Sequence, residues 1–193
     1  FDRFLLIGRR WNLDVTEHLD FSPEWEQELR RELAERGQLH KPAGSDYFIY
    51  PKTMYETIPD FALGRAGWDN WMIYAGRHSG APVIDATESI TIIHQNHDYA
   101  HLPGGKPHYR LPESDENVRM AGGRLSVFKL RDANFELTPD RLGRKPLRWR
   151  GLWRRIEMAL IARVGAGKMG RVVDTFFHPA ENVRYFYQRF FKG

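Results

Sequence analysis

The sequence predicts an α/β fold. Short apolar runs bounded by Gly and Pro alternate along the chain with segments of helical periodicity. At 193 residues, 41% of them hydrophobic, the chain is long enough for one domain with a real core. No run of eighteen apolar residues occurs, so no membrane span is expected.

The elements follow in order. Phe4–Ile7 reads as a buried strand ending at Gly8. Ser22 is placed to N-cap a helix with Pro23 at its first position, and Gly37 stops it. Trp25, Leu29 and Leu33 share one face of that helix. "DYFIYP" is a strand stopped by Pro51, and "YETIPDFALGR" is a loop. Residues 68–79 form the next helix, with Gly80 where a C′ glycine belongs. "PVIDA" and "SITIIH" are strands, and "YAHLPGGKPHYRLPES" is a loop. Residues 113–121 form a short helix closed by Gly122 and Gly123. "RLSVFKL" and "NFELT" are expected to pair as closing strands. "RWRGLWRRIEMALIARVG" and "PAENVRYFYQRFF" are amphipathic helices. The expected division is residues 1–140 as the α/β part and 141–193 as a basic helical extension.

The net charge of +4 is uneven, because residues 141–171 hold ten Lys or Arg and one acid, Glu157. The remainder of the chain is therefore acidic, and few aromatics interleave the basic segment, so no nucleic-acid partner is expected. In the helix over 148–164, Leu152, Trp153, Ile156, Leu160 and Val164 alternate with Arg154, Arg155 and Arg163. That stripe is expected to pack on the domain and leave the arginines in water. The alternative is an interfacial helix on anionic lipid. The absence of cysteine excludes disulfides, thiolate metal sites and a thiol nucleophile. It is compatible with a cytoplasmic location, peripheral to the inner membrane face if the basic helix meets lipid. The opening residues lack the order of a signal peptide. Because the chain begins with Phe1 inside a strand, it is expected to be the later part of a longer protein.

Three constellations carry chemistry. In "GRAGWDNW", Asp69 lies between Trp68 and Asn70, with Trp71 one residue on. An apolar ring face beside a carboxylate suits a pyranose, and Gly64 and Gly67 let the backbone turn close to a ligand. Arg65 could meet an anion. Asp69 could equally cap its helix, and both tryptophans could be core. In "HQNHDYAH", His94, His97 and His101 offer imidazoles for a metal such as Mn2+ or Zn2+, with Asn96 and Asp98 as orienting partners. Hydrogen-bonded loop histidines are the other reading. In "GSDYF", Asp46 and Tyr47 start a strand; Asp46 either contacts a sugar hydroxyl or forms an Asx turn. Asp85 and Glu88 are read as solvated loop acids. P-loop, G-x-S-x-G, H-E-x-x-H and D-x-D signatures are all missing from the sequence.

Together "GSDYFIYP", "IPDFALGRAGWDNWMIYAGR", "GAPVIDAT" and "HQNHDYAH" resemble the C-terminal half of bacterial GT-A-type glycosyltransferase-like proteins, from about Phe4 to Gly123. The resemblance implies part of a Rossmann-like α/β/α sandwich. It implies transfer of a sugar from a nucleotide-diphosphate donor to an acceptor hydroxyl, on a carbohydrate or a lipid-linked acceptor. Asp69 is the implied base, although Asn70 stands where many such enzymes carry a second acid. Asp46, Tyr47, Arg65, Trp68, Asn70 and Trp71 are the implied substrate-binding residues. His94 or His97 would complete a divalent metal site, for Mn2+ or Mg2+, whose D-x-D lies before Phe1. Other classes consistent with the residues are a carbohydrate- or nucleotide-binding module without catalysis and a metal-dependent hydrolase.

Overall fold

A computed structural model of the chain describes residues 1–42, 45, 47–98, 111–146, 149, 151–180 and 182. The expectations for Gly44, Asp46 and His101, for the loop at 99–110 and for most of the last helix lie outside the described residues.

The fold is mixed α/β. Strands β1 (Leu5–Gly8), β2 (Trp11–Leu13), β3 (Gln38–Leu39), β4 (Tyr47–Ile49), β5 (Val83–Asp85), β6 (Ile93–Gln95), β7 (Phe135–Thr138) and β8 (Arg141–Arg144) form two sheets. The first runs β4-β1-β5-β7-β8 and the second β3-β2-β6. Strands β1, β5 and β7 are parallel, and β4 and β8 flank them antiparallel. The parallel pairing of β1 with β5 is taken up again by β2 with β6 after a break at Arg9 and Arg10. Leu5, Ile7 and Val83 are fully buried, as expected of short apolar strands in a covered sheet.

Helix α1 (Trp25–Arg36) starts later than Ser22 foretells. The Trp25 amide donates to the Ser22 carbonyl at 3.2 Å, so Pro23 belongs to a turn and not to the helix. None of its residues is fully buried. Helix α2 (Trp68–His78) ends as expected. Gly80, at φ +77°, lets its own amide reach Arg77 O and the next one reach Gly76 O, each at 3.2 Å, which satisfies the last carbonyls. Helix α3 (Pro112–Met120) closes near Gly122 and Gly123 as expected.

The expected strand "RLSVFKL" is not one. Arg124–Ser126 and Leu130–Asp132 are single tight helical turns that drop Leu125, Phe128 and Leu130 into the core. Strand β7 pairs instead with β8, because the two-residue turn Pro139-Asp140 brings Thr138 opposite Arg141. Helix α4 (Leu152–Val164) forms where periodicity places it. Its Met158, Ile161 and Ala162 join the same core as Leu5 and Val83, and β8 completes the sheet, so one core runs across residue 140. Helix α5 (Lys168–Phe177) is absent from the sequence reading because Gly165, Gly167 and Gly170 mask its periodicity. Gly170 packs directly on the Gly165 carbonyl, where a side chain would not fit. Helix α2 is tied to the α4–α5 connection by the Tyr74 hydroxyl, which accepts the Ala166 amide at 2.8 Å.

Candidate functional site

Helix α2 runs antiparallel to the central strands. Gly76, near its end, lies against Val83 and Leu5 at the strand starts. At its beginning, Trp68 meets Phe48, whose strand partner is Ile7, with ring centroids 5.0 Å apart. The first turn, with Asp69, therefore lies toward the carboxyl edge of β1 and β5, where open α/β sheets place ligands. Asp69 is half-buried.

The loop that launches α2 is clamped by Asn117 of α3. This fully buried side chain accepts the Ala62 amide at 2.9 Å and donates to Ala62 O and Ala66 O at 3.0 and 3.2 Å. Gly67, at φ +110°, lies so close to Asn117 that only glycine fits there without strain. Replacing Asn117 by Ala is expected to strand these backbone groups and destabilise the protein by about 2 kcal/mol. Hydrogen exchange should rise first at residues 62–67, and unchanged exchange there would refute the clamp.

The tryptophans are neither free stacking platforms nor wholly interior. Trp71 packs on the core between Tyr55 and Phe61, with ring centroids 5.8 and 5.4 Å away. Asn70 is structural, since its amide donates to Phe128 O at 2.7 Å. Arg65 is half-buried, and its Nε makes no hydrogen bond among the described residues.

Tyr47 lies opposite Gly8, and a Cβ at that glycine would fall on the phenol oxygen. The missing side chain is what admits the ring. The hydroxyl is buried and has no hydrogen-bond partner among the described residues. Burial, with the Asp85 charge adding, pushes its pKa up to about 12. Tyr55, whose hydroxyl donates to Met72 O at 2.9 Å, is also pushed upward by burial. For both, the folded state favours the neutral phenol. The stability so gained is complete below pH 10 and is lost as pH rises through the folded values. Ultraviolet titration should show Tyr47→Phe removing a late-ionising tyrosine near pH 12. Loss of a tyrosine that ionises near 10 would refute the shift.

His94 lies on the second sheet and His97 follows the end of its strand. His94, on β6 opposite Asn12, is half-buried, and His97 just beyond is exposed, with ring centroids 5.3 Å apart. The His97 Nδ1 is 2.8 Å from Asp98 O. Asn96 does not orient either ring in the described contacts; its amide donates to Asp14 at 2.7 Å. Two neighbouring imidazoles are a partial donor set that suits Mn2+ better than Mg2+. Among the described residues, the three-donor group of acids and histidine is elsewhere, at Glu157, Asp174 and His178. There, His178 is 2.9 Å from Glu157, and Arg124 and Asn182 hold Asp174, so these donors are already engaged.

A cavity of about 680 Å3 is lined by residues at the carboxyl ends of β1 and β5 and by residues before and along β7. Asp85, read from sequence as a solvated loop acid, ends β5 at its wall. The Thr87 hydroxyl and amide donate to it at 2.7 and 3.2 Å, and Lys145 Nζ does so at 2.7 Å. On the same wall Asp132 receives Arg154 through both oxygens, at 2.9 and 2.7 Å. These pairs consume Lys145 and Arg154. Arg9, Arg131 and Arg155 remain on the wall against Glu88 and Glu136, an excess of one positive charge, and Arg9 and Arg155 also donate to the carbonyls of Leu39 and Lys145. An adjoining hollow of about 240 Å3 adds Arg77 and Arg144. Asp69, His94 and His97 are not among the described residues lining either space. The signal that could have found Asp85 is its position directly after a buried strand. Its partner Lys145 is sixty residues away and invisible to local pattern.

Comparison with protein-family models, curated proteins and solved structures finds no match for this chain.

Proposed function

We propose that the chain is the acceptor-side part of a glycosyltransferase that uses a nucleotide-diphosphate sugar. The observation that carries the reading is the cavity at the carboxyl ends of the parallel strands β1 and β5, lined by both arginines and acids, on the edge of the sheet toward which the first turn of α2 lies. Its cations suit a diphosphate, and its carboxylates suit sugar hydroxyls.

In this reading Asp69 accepts the proton of the acceptor hydroxyl as the oxygen bonds to the sugar carbon. The bond from that carbon to the diphosphate breaks, and the electron pair leaves with the nucleotide. Trp68 and Tyr47 border the acceptor side, and Arg65 meets an anionic group of donor or acceptor. Asp85, held by Thr87 and Lys145, binds a donor hydroxyl. A divalent cation held by His94 or His97, or by both, would offset charge on the leaving group.

Calorimetry of the natural full-length protein against nucleotide sugars, with and without Mn2+, tests the reading; no heat with any donor rejects it. Asp69→Asn is expected to lower turnover at least about a hundredfold while sparing donor affinity. Equal turnover would end the base assignment. Donor breakdown without acceptor would point to a hydrolase instead.

A further inference from the structure

The sequence leads one to expect the arginines of α4 outward and its apolar stripe inward, and the structure reverses part of this. Arg154 turns in to Asp132, and Arg155 turns in to the carbonyls of Lys145 and Pro146. Met158 and Ile161 fill the core. A second stripe stays outside: Trp153 is 71% exposed, and Ile156 and Leu160 are 40% exposed. Helix α5 extends it with Met169, Val172 and Phe176, the last 75% exposed. The two helices pack against each other, and the stripes meet through Phe177, whose ring lies 5.8 Å from Trp153 and 5.3 Å from Phe176.

Among the described residues of α4 and α5, the exposed charges have one sign. Arg163, Lys168 and Arg171 are exposed. The acids of the two helices, Glu157 and Asp174, are turned inward at 6% and 2% exposure. We propose that the outer face of α4 and α5 docks on an anionic lipid bilayer. Apolar side chains enter the headgroup boundary while the cations meet lipid phosphates. Trp149, 90% exposed just before α4, suits the depth at which indoles settle. A second copy using the same patch would set these cations against their equivalents, which opposes self-association. The six stripe residues are not among the described residues lining the two cavities above. This inference does not depend on glycosyl transfer.

The test is flotation of the 193-residue chain with two kinds of vesicle, one of phosphatidylcholine and one of phosphatidylcholine and phosphatidylglycerol in equal parts. Binding to the anionic vesicles should exceed neutral binding at least about tenfold and weaken with salt. The triple variant R163Q, K168Q, R171Q should bind on the order of a hundredfold more weakly. Ile156→Ser with Phe176→Ser should lose about tenfold or more. All five side chains are exposed, so circular dichroism should stay unchanged. Equal binding to both vesicles, or indifference to both variants, overturns the proposal. So does a dimer in sedimentation velocity that Phe176→Ser dissociates. Binding gained only after residues 183–193 are removed would show the chain covering its own face, and would overturn it as well.

Discussion

Phe128→Ala is expected to destabilise the protein by about 3–5 kcal/mol, a large share of the ~5–15 kcal/mol that holds a typical domain. Phe128 is among the largest fully buried side chains. It meets Tyr74 edge-on at 5.4 Å, between α2 and the turns that precede β7. Truncation removes the ring's transfer free energy and leaves a void that strands on one side and helices on the other are too well braced to fill. The backbone matters as well, because Phe128 O accepts the Asn70 amide. Loosening this segment should therefore free the first turn of α2, where Asp69 sits. Urea unfolding should show the midpoint falling, and Phe128→Leu should recover more than half the loss. A loss under about 1 kcal/mol would mean the segment is not core.

Asp132→Ala is expected to destabilise by about 3–5 kcal/mol, because it strands a charge partner in a mostly buried setting. The carboxylate is nearly inaccessible, and its Arg154 partner is 29% exposed. It also accepts the Lys129 amide at 2.8 Å, and the Asp132 carbonyl takes a hydrogen bond from Arg77. One residue thus joins a tight turn, α2 and α4 around the cavity. The Arg154→Leu variant, and the double variant with Asp132→Ala, should show coupling of more than about 1 kcal/mol in a double-mutant cycle. Additive losses would mean the pair contributes nothing beyond its separate contacts. If the cavity binds the diphosphate, Asp132→Ala should also weaken donor binding, since its walls are set by this joint.

The main strands and helices were readable because their signals are local. Leu5, Ile7 and Val83 sit in short apolar runs with glycine or proline at the ends. Helix α2 carries its apolar face at helical spacing and its own stop at Gly80. Where glycine serves a contact rather than a stop, as at Gly170, the same rules miss a helix. Where apolar alternation lies in a buried turn, as at Phe128, they place a strand that does not form.

The candidate site divides the same way. The sequence singled out Asp69, Trp68, Tyr47, His94 and His97 by residue type and local grouping. It passed over Asp85, whose significance comes from Lys145 and from a position at the end of β5. Acceptance of Arg154 by Asp132 and the outward stripe of α4 are likewise outcomes of packing.

By itself, then, the amino-acid order determined an α/β chain with a basic segment at 141–171 and the approximate limits of β1, β4, α2, β5, α3, β7 and α4. Only tertiary structure decided which charges are neutralised, which apolar stripe of α4 faces out, and which acids line the cavity. The physical reason is that element limits depend on residues within a few positions of one another. Burial and pairing depend on partners tens of residues distant, brought together only when the sheet closes.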